Sequence, residues 1–509
     1  MNTNKYQIIL FFVLVVSIAC KNKTSDLISA TSDNPYTEQH RPQFHFSPDS
    51  MWMNDPNGMV YHDGVYHLFY QYFPDSIVWG PMHWGHAVSK DMVHWTHLPV
   101  ALYPDSLGYI FSGSAVVDKG NTSNLGKDGK DPIIAIFTYH NIDGEKAGRN
   151  DFQSQAIAYS HDNGKTFIKY EGNPVIKNPG IRDFRDPKVI WHPQSKKWVM
   201  VFAVYDKALF YTSPNLKDWT KTGEFGIQDD KRLWECPDLF PVQVEGSTQQ
   251  KWVLITSIQQ NAPNGGTATS YFVGDFDGST FKANSNNQKW LDYGKDNYAL
   301  ITWSNAPAGR ILALGWMSNW QYAQQVPTKK WRSAMTLPRE LKLYKEEDDY
   351  FLRSMPVGEL ASLESGSIEI DTKSVQNGSI TSAISPTSKL EISFKKPTSG
   401  LVSVRFSNEV GEYLDIGYDA DKRIYFANRT HAGKHDFSSN FAGKHTGQAL
   451  YNHDNVDMLI YLDHASVELF ADGGQCVMTE IFFPTQPFTS IELRGELLSG
   501  KVTKLSSIW

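Results

Sequence analysis

The chain has 509 residues, 40% hydrophobic, 13% aromatic and 20% charged, and 48 Lys+Arg against 55 Asp+Glu leave a net charge of −7. That balance excludes the basic field over phosphate on which nucleic-acid binding depends, and a mean hydropathy of −0.41 keeps most of the chain out of a bilayer. Three cysteines, Cys20, Cys236 and Cys476, are too few for a disulfide framework.

Ile8 to Ile18 is nearly unbroken hydrocarbon behind a single cation, Lys5. It is shorter than the roughly 20 apolar residues that cross a bilayer, so it reads as a secretory signal segment. Ala19-Cys20 resembles a bacterial lipoprotein cleavage box, with Ser17 where Leu is usual. Residues 1–20 are therefore expected to be a lipoprotein-type signal peptide and Cys20 the lipidated N-terminus of an exported bacterial protein, periplasmic or membrane-anchored. Residues 21–37, polar and rich in Ser, Thr, Asn and Lys, form a tether. Cys236 and Cys476, far apart in sequence, are expected to stay free.

From about His40 onward, short β-branched and aromatic runs alternate with Gly, Asn, Asp and Pro, the pattern of hairpins. Asp63-Gly64 between two such runs is a two-residue turn signal. No stretch carries a sustained helical period, which predicts an all-β chain. A worn repeat runs through the first part: Ser89-Lys-Asp-Met-Val-His-Trp95, Ser160-His-Asp-Asn-Gly-Lys-Thr-Phe167, Ser213-Pro-Asn-Leu-Lys-Asp-Trp219 and Phe276-Asp-Gly-Ser-Thr-Phe281. Its aromatic positions lie 72, 52 and 62 residues apart, a period that fits propeller blades of several strands each, about five in all. The acidic stretch Tyr344-Lys-Glu-Glu-Asp-Asp-Tyr350 marks a boundary, and later strands alternate polar and apolar as in a two-layer sandwich. The expected plan is a propeller over 38–345, a linker over 346–357 and a β-sandwich over 358–509.

Three carboxylates sit among aromatic or apolar neighbours, where desolvation shifts acidity. They are Asp55 in Trp52-Met-Asn-Asp-Pro-Asn-Gly58, Asp186 in Arg182-Asp-Phe-Arg-Asp-Pro187, and Glu235 in Trp234-Glu-Cys-Pro-Asp238. A following proline, as after Asp55 and Asp186, predicts extended backbone at the acid. Asp-Pro and Asn-Gly are also ordinary turn chemistry, so each motif alone decides nothing.

Together the motifs resemble glycoside hydrolase family 32, the family of invertases, inulinases and levanases. The stretches that carry the resemblance, in order, are Trp52–Gly58, Trp79-Gly-Pro-Met-His-Trp-Gly-His-Ala87, Phe111-Ser-Gly-Ser114, Phe184-Arg-Asp-Pro187 and Trp234-Glu-Cys-Pro237. Gly315-Trp-Met-Ser-Asn-Trp-Gln-Tyr-Ala323, Trp331 through Glu340 and, more weakly, Phe470-Ala-Asp-Gly-Gly474 complete it.

The resemblance implies a five-bladed propeller followed by a β-sandwich and a retaining fructosidase acting on terminal non-reducing fructose units. The implied substrates are levan and inulin, with sucrose and fructo-oligosaccharides beside them. It implies Asp55 as nucleophile, Glu235 as acid and then base, and Asp186 as transition-state stabiliser with Arg185 beside it. Trp52, Met53 and Asn54 would shape the fructose pocket, Gln71 and Ser112 would bond sugar hydroxyls, and Trp79, Phe111 and Trp316 would wall it. Trp198, Trp219 and Trp303, outside the motifs, read as core. A carboxylate neighbour and a dry pocket are expected to raise the pKa of Glu235.

No cofactor is implied. His83, His86, His94 and His97 cluster in sequence, but an offset of three along a strand sends His83 and His86 to opposite faces, so no metal is expected. Cys236 reads as a neighbour that tunes the acid, not as a nucleophile. Two alternatives stay open at this point: a fructan-binding propeller without catalysis, and a related inverting five-bladed glycosidase. Oligomeric state is not legible.

Overall fold

Five times in succession the chain lays down a meander of antiparallel strands whose first member faces a shared axis. The computed structural model describes residues 36–373, 379–450 and 454–509. The signal segment, Cys20 and nearly all of the expected tether fall on residues 1–35 and lie outside these.

Among the described residues the first five sheets are propeller blades. Their innermost strands are Met51–His62, Tyr109–Val117, Phe184–His192, Trp234–Gln243 and Tyr298–Thr302. Each touches the next, and the last touches the first, which closes the ring. Closure is sealed by Trp331–Arg332, which pairs in parallel with Met51–Trp52. Inner strands are packed on both faces, so they read as continuous apolar runs; Ile133–His140 is buried throughout.

The sequence repeat has a structural cause. Each copy is the corner between the third and fourth strands of blades one to four. There an Asx side chain caps the turn's backbone: Asp91 accepts from the amides of Val93 and His94 at 2.9 and 2.8 Å, and Asp277 from those of Ser279 and Thr280 at 2.8 Å. Asp162 and Asn215 do the same.

Among the described residues helix is confined to two short 3-10 turns, Pro307–Gly309 and Gly358–Leu363, and one α-turn. Ile142–Lys146 makes a single α-turn capped by Asn141, whose side chain accepts from the Gly144 amide at 2.8 Å. At five residues it is too short to leave a periodic signal. Trp198 and Trp303 are buried and Trp219 half-buried, all as core, and Cys236 and Cys476 are buried and unpaired.

The stretch expected as a linker over 346–357 is instead the outermost strand of the fifth blade, Asp349–Pro356, which pairs with Arg339–Glu346, and the acidic residues form the turn between them. Beyond the propeller, two six-stranded antiparallel sheets face one another. Alternate residues such as Leu390, Ile392 and Phe394 meet Val404, Phe406 and Ile416 in the layer between them. The contact with the propeller is sealed by buried charge. His45, just before the first blade, bonds Asp463 at 2.8 Å and Glu468 at 3.0 Å, both in the sandwich. Burial alone would lower the pKa of His45, but the two carboxylate hydrogen bonds outweigh it and hold the value up at about 9. A pKa raised on folding adds stability that is complete below the unfolded value of about 6.5 and is lost as pH climbs through 9. The melting temperature is therefore expected to decline across roughly that window, the imidazolium being worth on the order of 3 kcal/mol at most. His45→Gln should lower stability at pH 6 and flatten the decline; an unchanged slope in the variant would exclude His45 as its source.

Candidate active site

The candidate residues converge because all five innermost strands break register at the same level. In each, two consecutive residues oppose a single residue of the second strand: Asn54-Asp55 against Gln71, Phe111-Ser112 against Thr138, Asp186-Pro187 against Phe202, Cys236-Pro237 against Thr256, and Ala299-Leu300 against Gly315. A bulge re-aims side chains and bends its strand. Five at one height turn Asp55, Ser112, Asp186 and their neighbours toward the axis. Asp186, Cys236 and Ala299 pay with positive φ angles of 64°, 43° and 52°. Asp186 thus departs from the extended backbone expected before proline; the bulge overrides the local preference.

The carboxylates meet around one sulfur. Cys236 Sγ lies 3.5 Å from Asp55 Oδ2 and 3.6 Å from Asp186 Oδ2, and the Cys236 amide donates to Asp186 Oδ2 at 3.0 Å. Ser112 Oγ donates to Asp55 Oδ2 at 2.7 Å, whereas Asp55 Oδ1 is buried with no partner among the described residues. Arg185 donates to Glu235 Oε1 at 3.0 and 3.2 Å and to Asp183 at 2.6 Å. The Tyr298 hydroxyl closes on Glu235 Oε2. Burial pushes the Asp55 carboxyl up, opposed by the Ser112 hydrogen bond and aided by the charge of Glu235. Burial also raises Asp186, with Arg185 opposing and the charges of Glu235 and Asp55 adding to the rise. Burial pushes the Cys236 thiol far up, so it stays protonated between the two acids.

These groups line a cavity of about 280 Å³ at one mouth of the axis. Asn54, Asp55, Gln71, Trp79, Phe111, Ser112, Arg185, Asp186 and Glu235 all line it. Three expected pocket residues do not. Trp52, Met53 and Trp316 are fully buried and do not line the cavity. Trp52 bonds Asn54 Oδ1 at 2.7 Å and stacks on Trp320 at 5.8 Å, so it braces the wall without forming it. The wall ring is Trp320: Trp316 lies on a strand that ends at Met317, and the following loop carries Trp320 and Gln324 over the mouth. Below the carboxylates the axis shuts, with about 10 Å³ left among Asn57, Gly113, Pro187, Lys188 and Ile301.

Sequence reasoning missed Tyr298, Gln153, Gln259 and Phe152, because none lies in a chemically marked motif, and passed over Asp183 although it stands within the motif of Asp186. It also missed Glu145, which the short helical turn delivers to the rim. The four clustered histidines disperse: His83 bonds the Pro81 carbonyl, His86 His67, and His94 Asp91, while His97 stacks on Trp509.

Residues 45–356 match the model of the glycosyl hydrolases family 32 N-terminal domain, and residues 359–508 match that of the family 32 C-terminal domain. The chain belongs to glycosyl hydrolase family 32. A levanase of Bacillus subtilis is 44% identical over 513 residues, covering 98% of this chain and 74% of that protein. The crystal structure of an exo-inulinase from Aspergillus awamori superposes with a TM-score of 0.86 at 35% identity, covering 93% of this chain and all of the other. A β-fructofuranosidase from Schwanniomyces occidentalis, solved with fructosyl-erythritol, gives 0.84 at 33%, covering 93% and 99%. In this family 32 chain the motifs divide by task. Trp52–Gly58, Phe111–Ser114, Phe184–Pro187 and Trp234–Pro237 carry four of the five bulges, whereas Trp331–Glu340 serves ring closure and the domain interface.

Proposed function

We propose that this protein is a retaining β-fructosidase that removes terminal non-reducing fructofuranosyl units from levan or inulin, and also from sucrose and fructo-oligosaccharides. The observation that carries the reading is the asymmetry of Asp55: one oxygen is held by Ser112 and Cys236, the other is unpartnered at the cavity. In the first step Asp55 Oδ1 attacks C2 of the fructose unit. The bond from C2 to the leaving oxygen breaks, and that oxygen takes a proton from Glu235. In the second step Glu235 removes a proton from water, the water oxygen attacks C2, and the bond to Asp55 breaks. Two inversions retain the anomeric configuration.

Charge must be partitioned between the acids for this to run. Hydrogen bonds from Ser112 and the Cys236 thiol favour ionised Asp55. Arg185 sits against Glu235 and beside Asp186, where it steadies negative charge as the oxocarbenium-like state forms. Asn54, Gln71 and Asp186 supply polar contacts for hydroxyls, and Trp79, Phe111 and Trp320 supply apolar walls. The blind floor favours a chain end over a mid-chain segment. The relatives named levanase and exo-inulinase support the same substrate class. The apolar leader and Ala19-Cys20 support export with anchoring through a lipidated Cys20.

The test is to incubate the mature chain with levan, inulin and sucrose and to follow free fructose and its first anomer by NMR. Fructose released one unit at a time, with retained configuration, is the expected result. Binding without release would favour the non-catalytic alternative, and an inverted first product the inverting one.

A further inference from the structure

The third, fourth and fifth blades are separate sheets, so no hydrogen-bonded ladder sets how far Asp186 on the third lies from Glu235 on the fourth. At the level of the cavity these two blades meet through the reacting groups themselves: the Cys236 amide donates to Asp186, and Arg185 to Glu235. The second contact weakens when Glu235 takes up a proton and strengthens when it gives one up, so it is a poor ruler for the distance it spans. One step down the axis lies a tie built from other groups. Lys188 and Asp238 are the residues at which the ladders resume below the Asp186-Pro187 and Cys236-Pro237 bulges. They pair at 3.0 Å, and both are buried, Asp238 completely. Lys188 Nζ also donates to the Thr302 carbonyl at 2.6 Å and to its hydroxyl at 3.2 Å. Asp238 Oδ2 accepts from the Thr302 amide at 2.6 Å and from that hydroxyl at 2.7 Å. Thr302 follows the Ala299-Leu300 bulge of the fifth blade, whose Tyr298 closes on Glu235. Three blades are thus pinned at one point directly under the bulges beside Asp186, Glu235 and Tyr298.

We propose that Lys188 and Asp238 are positioning residues of the hydrolysis, holding the third, fourth and fifth blades at the spacing that sets Glu235 and Asp186 around the sugar attacked by Asp55; this rests on the fructosidase reading above. Neither residue lines the axial cavity, and Lys188 walls the closed space beneath it. Their charges answer each other, so the tie keeps its strength while the proton at Glu235 comes and goes. Stability alone does not account for the pair, because a buried ion pair gains little over apolar groups of the same volume. Geometry does account for it. A misplacement of about 1 Å between reacting groups slows a reaction by about 10²-fold, whereas sugar binding is spread over many contacts of the cavity and is less sensitive.

The experiment is the double change Lys188→Met with Asp238→Asn in the full chain, which removes both charges together and strands neither. Turnover of sucrose and inulin is expected to show kcat lowered by roughly ten- to a hundredfold, with KM and the inhibition constant of free fructose within about twofold. The melting temperature of the double variant should stay close to that of the unmutated protein. Lys188→Met alone leaves the Asp238 carboxylate buried without its cation, and should lower both melting temperature and kcat. Adding Asp238→Asn should then restore the first and not the second, whereas a merely structural tie would move the two together. Thr302→Val removes the shared hydroxyl, leaves the backbone in place and carries the test if the double variant does not fold; a several-fold drop in kcat is expected. Full kcat in the folded double variant, or in Thr302→Val, overturns the proposal. So does a rise in KM and in the fructose inhibition constant equal to the loss in kcat, which would mean that the cavity itself had loosened. Absence of sugar release by the unmutated chain would sink the fructosidase reading, whereas full turnover in the variants sinks this inference alone.

Discussion

Replacing Asp55 with Asn should lower fructose release from levan, inulin and sucrose by about 10⁴-fold or more, and Glu235→Gln by about 10²- to 10⁴-fold. Asparagine keeps the shape at position 55 and the Ser112 contact but has no charge with which to attack C2. Glutamine keeps the contacts to Arg185 and Tyr298 but cannot pass a proton. The two residues serve one reaction coordinate, so the double variant should be little slower than the worse single one. Their roles separate on an activated substrate. An aryl fructofuranoside expels a leaving group that needs little protonation, so Glu235→Gln should lose much less in the first step there than on sucrose. Asp55→Asn should lose as much on both. Steady-state kcat and single-turnover rates on the two substrates settle the matter, and normal turnover in either variant would remove that residue from the mechanism.

Much of this site is legible in the sequence because its chemistry is concentrated in short motifs. Asp55, Asp186 and Glu235 stand out by the rings and prolines beside them, and the worn Ser/Asp/aromatic repeat reveals the blades because each copy builds the same Asx corner. What brings the acids together is not legible. Five two-for-one bulges at matched height are a property of register between strands, and no single strand's composition records them. The choice between Trp316 and Trp320 fails for a related reason. Both lie in one motif four residues apart, and only the end of the strand at Met317 decides which ring is buried and which reaches the cavity. Tyr298 is invisible because it is a tyrosine in an apolar strand until Glu235 is placed opposite it. The sequence sets Arg185 beside Asp186, but nothing in it says that the guanidinium reaches Glu235 from an adjacent blade.

Arg339→Met should be the most destabilising change away from the cavity, at about 3–5 kcal/mol. Arg339 is fully buried and bridges the two domains. One arm of its fork donates to Asp292 of the propeller at 2.9 Å, and the other to Glu468 and Thr479 of the sandwich at 2.5 and 2.7 Å. Removing the cation leaves Asp292 buried without its ion pair and Glu468 with only the His45 imidazolium, which is the costly way to break a buried network. Methionine fills most of the volume, so the loss reports charge more than packing. Pairing it with Glu468→Gln, which removes one of the carboxylates the guanidinium bridged, should cost less than the two single changes summed, as expected for groups in one network. Lys221→Met gives the contrast, because its bond to Glu224 at 2.8 Å lies on the surface and should matter by less than about 1 kcal/mol. Calorimetry on the four variants and the unmutated chain reads these differences. It also tests whether the network couples the domains: in the Arg339 variant a single unfolding transition should split in two, and a variant that melts as one unit at the unmutated temperature would show that the apolar interface alone holds propeller and sandwich together.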